Sequence, residues 1–162
     1  MRALLQSPTT RISVRVLAAL LLIFVGADHY YEYSVDDYRV LPTIGTLFLL
    51  NFISATGIGL FLLAPLGRLM RRFGAAALRL AALSGFGVAA TSLVALLVSE
   101  QTRLFGFMES NYRPEIIIAI ASEAGAAALL ALLFFISFSG QPSGERRPSR
   151  PTKSGQPNPG TT

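Results

Sequence analysis

The sequence contains no cysteine and only one histidine and one lysine among its 162 residues. Without cysteine there are no disulfides, no thiolate metal ligands and no thiol redox chemistry. The single histidine, His29, excludes a bis-histidine haem site and leaves the usual catalytic triads without their parts. The P-loop, His-Glu-x-x-His and Gly-x-Ser-x-Gly motifs do not occur either. These absences favour a non-enzymatic protein, while enzyme activity stays an open alternative.

Charged residues are also scarce, at 14% of the chain, whereas soluble domains carry about 25%. Four long apolar stretches cover approximately residues 12–33, 43–67, 75–99 and 115–138. A membrane-spanning helix needs about 20 mostly apolar residues, and in lipid the backbone must satisfy its own hydrogen bonds. The pattern predicts an all-α, polytopic membrane four-helix bundle with up-down topology. The transmembrane domain is residues 12–138, preceded by a short segment, 1–11.

The basic residues predict the orientation of the bundle, because cytoplasmic loops are enriched in arginine and lysine. Eleven of the 14 lie before the first stretch, between the second and third, or after the fourth: Arg2, Arg11, Arg15, Arg68, Arg71, Arg72, Arg79, Arg146, Arg147, Arg150 and Lys153. We therefore expect a multi-pass plasma-membrane protein with both termini in the cytoplasm. The proline-rich segment 139–162 is predicted to be a disordered basic tail. Because the cations border the membrane, nucleic acid is not expected as a partner.

The first apolar stretch has two interpretations. Its uninterrupted apolar core, residues 16–27, is short and follows Arg15, which is the layout of a secretory signal peptide cleaved after Ala27. The alternative is a retained helix that ends in an aromatic belt, since tyrosines cluster over residues 30–33. We favour retention, because nothing resembling a soluble mature domain follows. Neither alternative changes the side of any loop.

Small residues recur at a spacing of four in three of the stretches. Such residues mark close helix contacts in membranes, where lipid provides no hydrophobic drive for association. The stripes are Ala81, Gly85 and Ala89 in the third stretch, Asn51, Ala55 and Gly59 in the second, and Ala119, Glu123 and Ala127 in the fourth. We expect all three stripes to face the interior of the bundle.

Polar residues are predicted to share one level of the membrane. At 1.5 Å per residue, Asn51, Glu123, Thr91 and Ser92 all lie roughly 11–12 Å below the outer surface, with Asp28 and His29 roughly 6–8 Å below it. This match predicts an outward-facing polar pocket. Its expected lining is His29, Asn51, Ser92 and Glu123, with Thr91 and Asp28 as further candidates.

Glu123 is the sharpest signal, because an acid in the bilayer core costs several kcal/mol unless it is neutralised, paired or hydrated. We expect it to be protonated or bonded to Asn51 or to the hydroxyls of Thr91 and Ser92. It serves either as a proton relay or ligand anchor, or as interhelical glue worth about 1 kcal/mol. His29 either ligates a metal together with nearby acids or bonds within the interface. No cofactor is predicted.

The run from Asp28 to Asn51, with Tyr38-Arg39-Val-Leu-Pro42-Thr-Ile-Gly45 at its centre, and the segment Leu104-Phe105-Gly106-Phe107-Met108-Glu109 together resemble a recurrent pattern. It is similar to that of uncharacterised four-span integral membrane proteins of high-GC actinobacteria. The resemblance covers roughly residues 12–138 and implies a bacterial protein with four spans and a retained first helix. It implies no activity, so no functional residue is carried over from it.

Taken together, the residues favour a non-enzymatic membrane component, either an assembly or interaction subunit or a binder of a small ligand. Its expected partners are the lipid bilayer and either a second copy or another membrane protein. The alternative is a small proton-coupled transporter or channel that uses Glu123 and His29.

Overall fold

The protein is described here by a computed structural model that covers residues 7–65, 73–105, 108 and 114–138. These ranges contain four helices, α1 (Pro8–Ser34), α2 (Pro42–Leu63), α3 (Gly74–Ser99) and α4 (Pro114–Phe138), with a 3-10 turn (Tyr38–Val40) between α1 and α2. Each of the four is long and apolar enough to cross a membrane. The predicted all-α four-helix bundle is confirmed. Predictions for residues 1–6, 66–72, 106–107, 109–113 and the tail 139–162 lie outside the described residues.

Two helix ends differ from the bounds expected from hydropathy. The first helix begins at Pro8, not near residue 12, because Ser7 caps it: the Ser7 hydroxyl accepts a 3.0 Å hydrogen bond from the backbone N–H of Thr10. Proline is well suited to the first helical position. The second helix ends at Leu63, not near residue 67. The next residue, Ala64, precedes a proline and is extended, with φ −61° and ψ 147°.

Consecutive helices run antiparallel. Helix α1 packs most extensively on α2 and α4, and α3 packs on α4, whereas the contact between α2 and α3 is smaller and α1 lies diagonally across from α3. The turn between α1 and α2, the last residues of α3 and the first residues of α4 lie at one end of the bundle, which we call the paired-loop end. We call the opposite end the terminal end.

Helices α1 and α2 approach closely because glycines face the partner backbone. A Cβ on Gly59 would lie 2.6 Å from Ile23 Cγ1 and 2.9 Å from the Ala19 carbonyl oxygen. A Cβ on Gly26 would lie 3.2 Å from the Phe52 carbonyl oxygen. Such close approach is typical of small residues at helix interfaces in membranes.

All four helices meet at Gly85 of α3. A Cβ there would lie 3.0 Å from Leu22 of α1, 3.3 Å from Ile58 of α2 and 3.2 Å from Leu130 of α4. Leu22 and Leu130 are fully buried. This layer, the Gly85 layer, separates the terminal half of the bundle from the half that carries the polar residues.

Arginines close the terminal end. Arg15 of α1 donates hydrogen bonds to the carbonyl oxygens of Leu62, at 2.5 Å, and Ala64 at the end of α2. In the same way, Arg79 of α3 donates to the carbonyl oxygen of Ser137 near the end of α4, at 3.0 Å. The last carbonyls of a helix have no hydrogen-bond partner within the helix and lie at the negative end of its dipole. A guanidinium there donates hydrogen bonds to these carbonyls and also interacts favourably with the dipole.

Candidate functional site

A cavity of about 860 Å³ lies in the half of the bundle towards the paired loops. Its walls come mainly from α2 and α3, and residues of α1 and α4 form its back. Along α3 the lining extends from Ser84, next to the Gly85 layer, to Ser99 at the end of the helix. That separation corresponds to roughly 22 Å. The cavity therefore extends through much of the half of the bundle that lies between the Gly85 layer and the paired-loop end.

All six candidate residues from the sequence line this cavity. They are Asp28 and His29 of α1, Asn51 of α2, Thr91 and Ser92 of α3, and Glu123 of α4. Three of them are in direct contact, and we call His29, Ser92 and Glu123 the polar triad. Thr91 is exposed, and Asp28 and Asn51 are half-buried.

The imidazole of His29 is buried and held in one orientation. Its Nδ1 lies 2.9 Å from the carbonyl oxygen of Val25, one turn earlier in α1. Because a carbonyl oxygen only accepts, Nδ1 carries the hydrogen. Nε2 then points to α3 and α4, at 2.9 Å from Ser92 Oγ and 3.5 Å from Glu123 Oε1. Ser92 and Glu123 thus approach the same imidazole nitrogen from α3 and α4.

This geometry favours one shared proton in the triad as long as no other positive charge lies beside Glu123. With its hydrogen on Nδ1, a neutral imidazole presents a lone pair at Nε2, which would repel an ionised carboxylate at 3.5 Å. A proton on the carboxyl of Glu123 removes the repulsion, and so does a proton on Nε2. In both cases the Ser92 hydroxyl can donate to one partner and accept from the other.

Two oxygens in the cavity wall are buried without a hydrogen-bond partner: Oε2 of Glu123 and Oδ1 of Asn51. Glu123 is only 1% exposed. Buried polar atoms normally have a partner, and leaving one without costs about 1–3 kcal/mol. Of the partners expected for Glu123, Ser92 lies beside it at the same nitrogen of His29, whereas the Asn51 side-chain oxygen has no hydrogen-bond partner at all.

An aromatic stack covers His29, which the sequence reasoning did not find. The ring of Phe48 lies 5.2 Å from the imidazole, and Tyr38 stacks on Phe48 at 5.0 Å with an interplanar angle of 3°. The 3-10 turn that carries Tyr38 rests on Gly45, where a Cβ would lie 2.7 Å from the Tyr38 carbonyl oxygen. Phe48 lies three residues before Asn51 and therefore on the same face of α2. This spacing could have identified Phe48 as a residue of the site.

Acidic residues dominate the charged lining. Asp28 and Glu32 come from α1, and Glu115 and Glu123 come from α4, whereas no arginine or lysine of the described chain lines the cavity. Glu115 was not predicted as a site residue, although it precedes Glu123 by about two helical turns, and Glu32 was expected only as one of the acids that could join His29 at a metal. Within the described ranges, no three histidine or acidic side chains are placed to hold one metal ion. A metal at His29 thus gains no geometric support.

These four apolar helices make the chain a multi-pass, all-α membrane protein. No protein-family model matches it, and comparison with curated proteins and with solved structures gave no match either. The resemblance to actinobacterial four-span proteins therefore stays a prediction. The function has to be argued from the cavity and the polar triad.

Proposed function

We propose that this protein is a non-enzymatic component of the plasma membrane that binds a small ligand in the cavity, with both termini in the cytoplasm and the paired-loop end outside. The observation that carries the proposal is the unpartnered Oε2 of Glu123, buried in the wall of a cavity that has the size of ligand sites, about 300–1,000 Å³. A ligand group that donates a hydrogen bond would satisfy this oxygen.

The arrangement of the polar triad supports a binding role over simple helix glue. Association of the helices needs only a polar contact between them. The contacts among His29, Ser92 and one carboxyl oxygen of Glu123 supply it. The second oxygen adds nothing to helix association and costs stability while it has no partner. An acid whose second oxygen has no partner, on a residue that lines a cavity, is therefore suited to accept a hydrogen bond from a ligand.

The cysteine-free sequence offers a direct test of an outward-open cavity. Ser54 lines the cavity about 18 Å below the start of α2, whereas Gly57, three residues on, is exposed on the outside of the bundle and a Cβ there meets nothing within 4 Å. We expect Ser54→Cys to react with a membrane-impermeant maleimide added outside intact cells, because thiols react as thiolates in water. Gly57→Cys, in lipid, should stay unlabelled.

Equal labelling of the two variants would contradict a water-accessible cavity. Labelling of Ser54→Cys only from the cytoplasmic side would leave the cavity and reverse the proposed orientation. Absence of labelling from either side would mean that the cavity is closed to water.

Proton-coupled transport through Glu123 and His29 is the second candidate, and the shared proton of the polar triad favours it. The Gly85 layer opposes it, because fully buried leucines of α1 and α4 fill the bundle between the triad and the terminal end. In proteoliposomes under a pH gradient, a transporter would show proton flux that Glu123→Gln abolishes. Asp37→Asn, which removes an exposed acid outside the cavity, is the matched control. A binding protein should show no flux in either form.

A further inference from the structure

The cavity is open sideways between α2 and α3. Leu50 of α2 and Val94 of α3 both line it, and they are 54% and 59% exposed. Gly87, also in the lining, is exposed, and a Cβ there would meet nothing within 4 Å. On the paired-loop side of the contact between Ile58 and Gly85, α2 and α3 therefore leave a gap. In a bundle that spans the membrane, this gap faces the lipid.

The chemistry of the cavity selects among occupants that could come from the lipid. At the gap its walls carry aliphatic side chains such as Leu50 and Val94, which suit the apolar part of a ligand, with the hydroxyls of Ser84 and Thr91 between them on α3. Its charged lining is purely acidic in the described chain, and the buried Oε2 of Glu123 accepts but has no donor. An apolar body with a positively charged, hydrogen-donating head complements all three features.

We propose that the cavity binds a lipophilic ammonium ion, which enters from the bilayer between α2 and α3 and replaces the shared proton of the polar triad. This rests on the proposed ligand-binding function and assigns the chemical class of its ligand. The ammonium group donates to Oε2 of Glu123, and the aliphatic walls of α2 and α3 cover the apolar body.

The exchange balances in charge. The ammonium ion keeps all its protons, and Glu123 becomes or stays an anion. The proton that the polar triad shared is released to solvent, which leaves His29 neutral with its hydrogen on Nδ1. The other titratable groups that line the cavity are Asp28 and Glu32 of α1, Glu115 of α4 and Tyr38 of the turn, whereas α2 and α3 contribute only amide and hydroxyl groups from the described residues. None of these is a cation that could replace the ligand.

Three probes with one apolar body test the ligand class: pyrenebutylamine, pyrenebutanol and pyrenebutyrate. Their binding is measured by titration calorimetry of the full chain in lipid nanodiscs, with empty nanodiscs subtracted. We expect the amine to bind at least about tenfold more tightly than the alcohol and the carboxylate to bind least. Titrations in two buffers of different ionisation enthalpy should show about one proton released per amine bound.

Glu123→Gln identifies the anchoring group. The amide preserves the volume and can donate to Nε2 of His29, so the fold is retained. We expect this variant to lose the preference for the amine and the proton release, while its affinity for the alcohol changes less than about threefold. Asp37→Asn removes one negative charge at the same end but outside the cavity, and it should keep both properties.

Gly87→Phe tests the route between α2 and α3. Because a Cβ at Gly87 would meet nothing within 4 Å, we expect phenylalanine to be accommodated there and to narrow the gap. Stopped-flow binding of the amine should slow several-fold in Gly87→Phe. Gly57→Phe is the control, since the space at Gly57 is equally open and this residue does not line the cavity.

The outcomes separate this inference from the proposed function. Equal or tighter binding of the alcohol or the carboxylate overturns the ammonium class and leaves a ligand-binding cavity in place. Amine binding without proton release overturns the exchange, and unchanged kinetics in Gly87→Phe overturn the lateral route. If no probe binds, the inference fails, and labelling of Ser54→Cys decides independently whether the cavity is accessible.

Discussion

The contact between α1 and α2 gives a prediction that can be worked out atom by atom. In Gly59→Ala, the new Cβ lies 2.6 Å from Ile23 Cγ1 and 2.9 Å from the Ala19 carbonyl oxygen. Carbon atoms prefer about 3.5–4.0 Å, so the helices must separate by roughly 0.6–0.9 Å or distort. Ile23 can change its rotamer, but the Ala19 carbonyl belongs to the backbone of α1 and cannot. Overpacking of this kind costs about 1–3 kcal/mol.

Gly57→Ala is the internal control for this change. Gly57 lies on the same helix two residues away, and a Cβ there meets nothing within 4 Å. Both substitutions reduce backbone freedom in the same way, and alanine is favoured over glycine in helices by up to about 1 kcal/mol. The difference between the two variants therefore isolates the clash.

The assay is SDS-induced unfolding of the detergent-solubilised protein, followed by circular dichroism. We expect Gly57→Ala to be as stable as the parent or slightly more so, and Gly59→Ala to fall below Gly57→Ala by about 1–3 kcal/mol. If the two variants have the same free energy of unfolding, α1 and α2 do not approach as closely as described. The reasoning would then be refuted for the whole α1–α2 interface.

Three further predictions concern the ends of the bundle. Replacing Arg15 by leucine removes the donors to the carbonyls of Leu62 and Ala64, and it should cost about 1.5–3 kcal/mol in the same unfolding assay, with no change pointing to water as an adequate substitute. Single cysteines at Asp37, in the exposed turn, and at Phe73, at the start of α3, should be labelled by an impermeant maleimide only outside and only inside the cell, respectively; the reverse pattern would invert the topology. The intact mass of the membrane-purified protein should include residues 1–27, because cleavage after Ala27 would remove fully buried Leu22 and Val25 from the core; a mass lacking them would contradict a retained first helix.

Much of the fold could be predicted because the bilayer imposes strong constraints. The length and hydropathy of the apolar stretches are sufficient for four helices, since lipid leaves few other ways to satisfy the backbone. Close-contact residues could also be predicted, and Gly59, Gly85 and Ala89 are all buried as expected. The helix ends were less accessible to hydropathy, because they depend on local chemistry: the Ser7 cap and the extended residue before Pro65.

The candidate site could be predicted in part for the same reason. Counting 1.5 Å per residue brings Ser92 and Glu123 to one level with His29 just above it, and the structure places the three in contact. Depth does not specify rotation about the helix axis, however. On the expected α4 stripe Glu123 is buried, whereas Ala119 lines the cavity and Ala127 packs on the core, both half-buried. Ser122 and Ala126, next to the stripe, are buried as well. The pairing of Glu123 with His29 depends on that rotation.

The position of the cavity follows from where the glycines and other small residues lie. Between α1 and α2 they face the partner helix at two levels, Gly26 and Gly59, so this interface is closed over much of its length. Between α2 and α3, among the described glycines, Gly85 of α3 contacts the other helix, whereas the next glycine, Gly87, faces open space. Above Gly85 the two helices are therefore not drawn together, and the polar triad at the back of the bundle is left beside a gap rather than sealed in a core. The site is therefore a consequence of helix packing as much as of its polar residues.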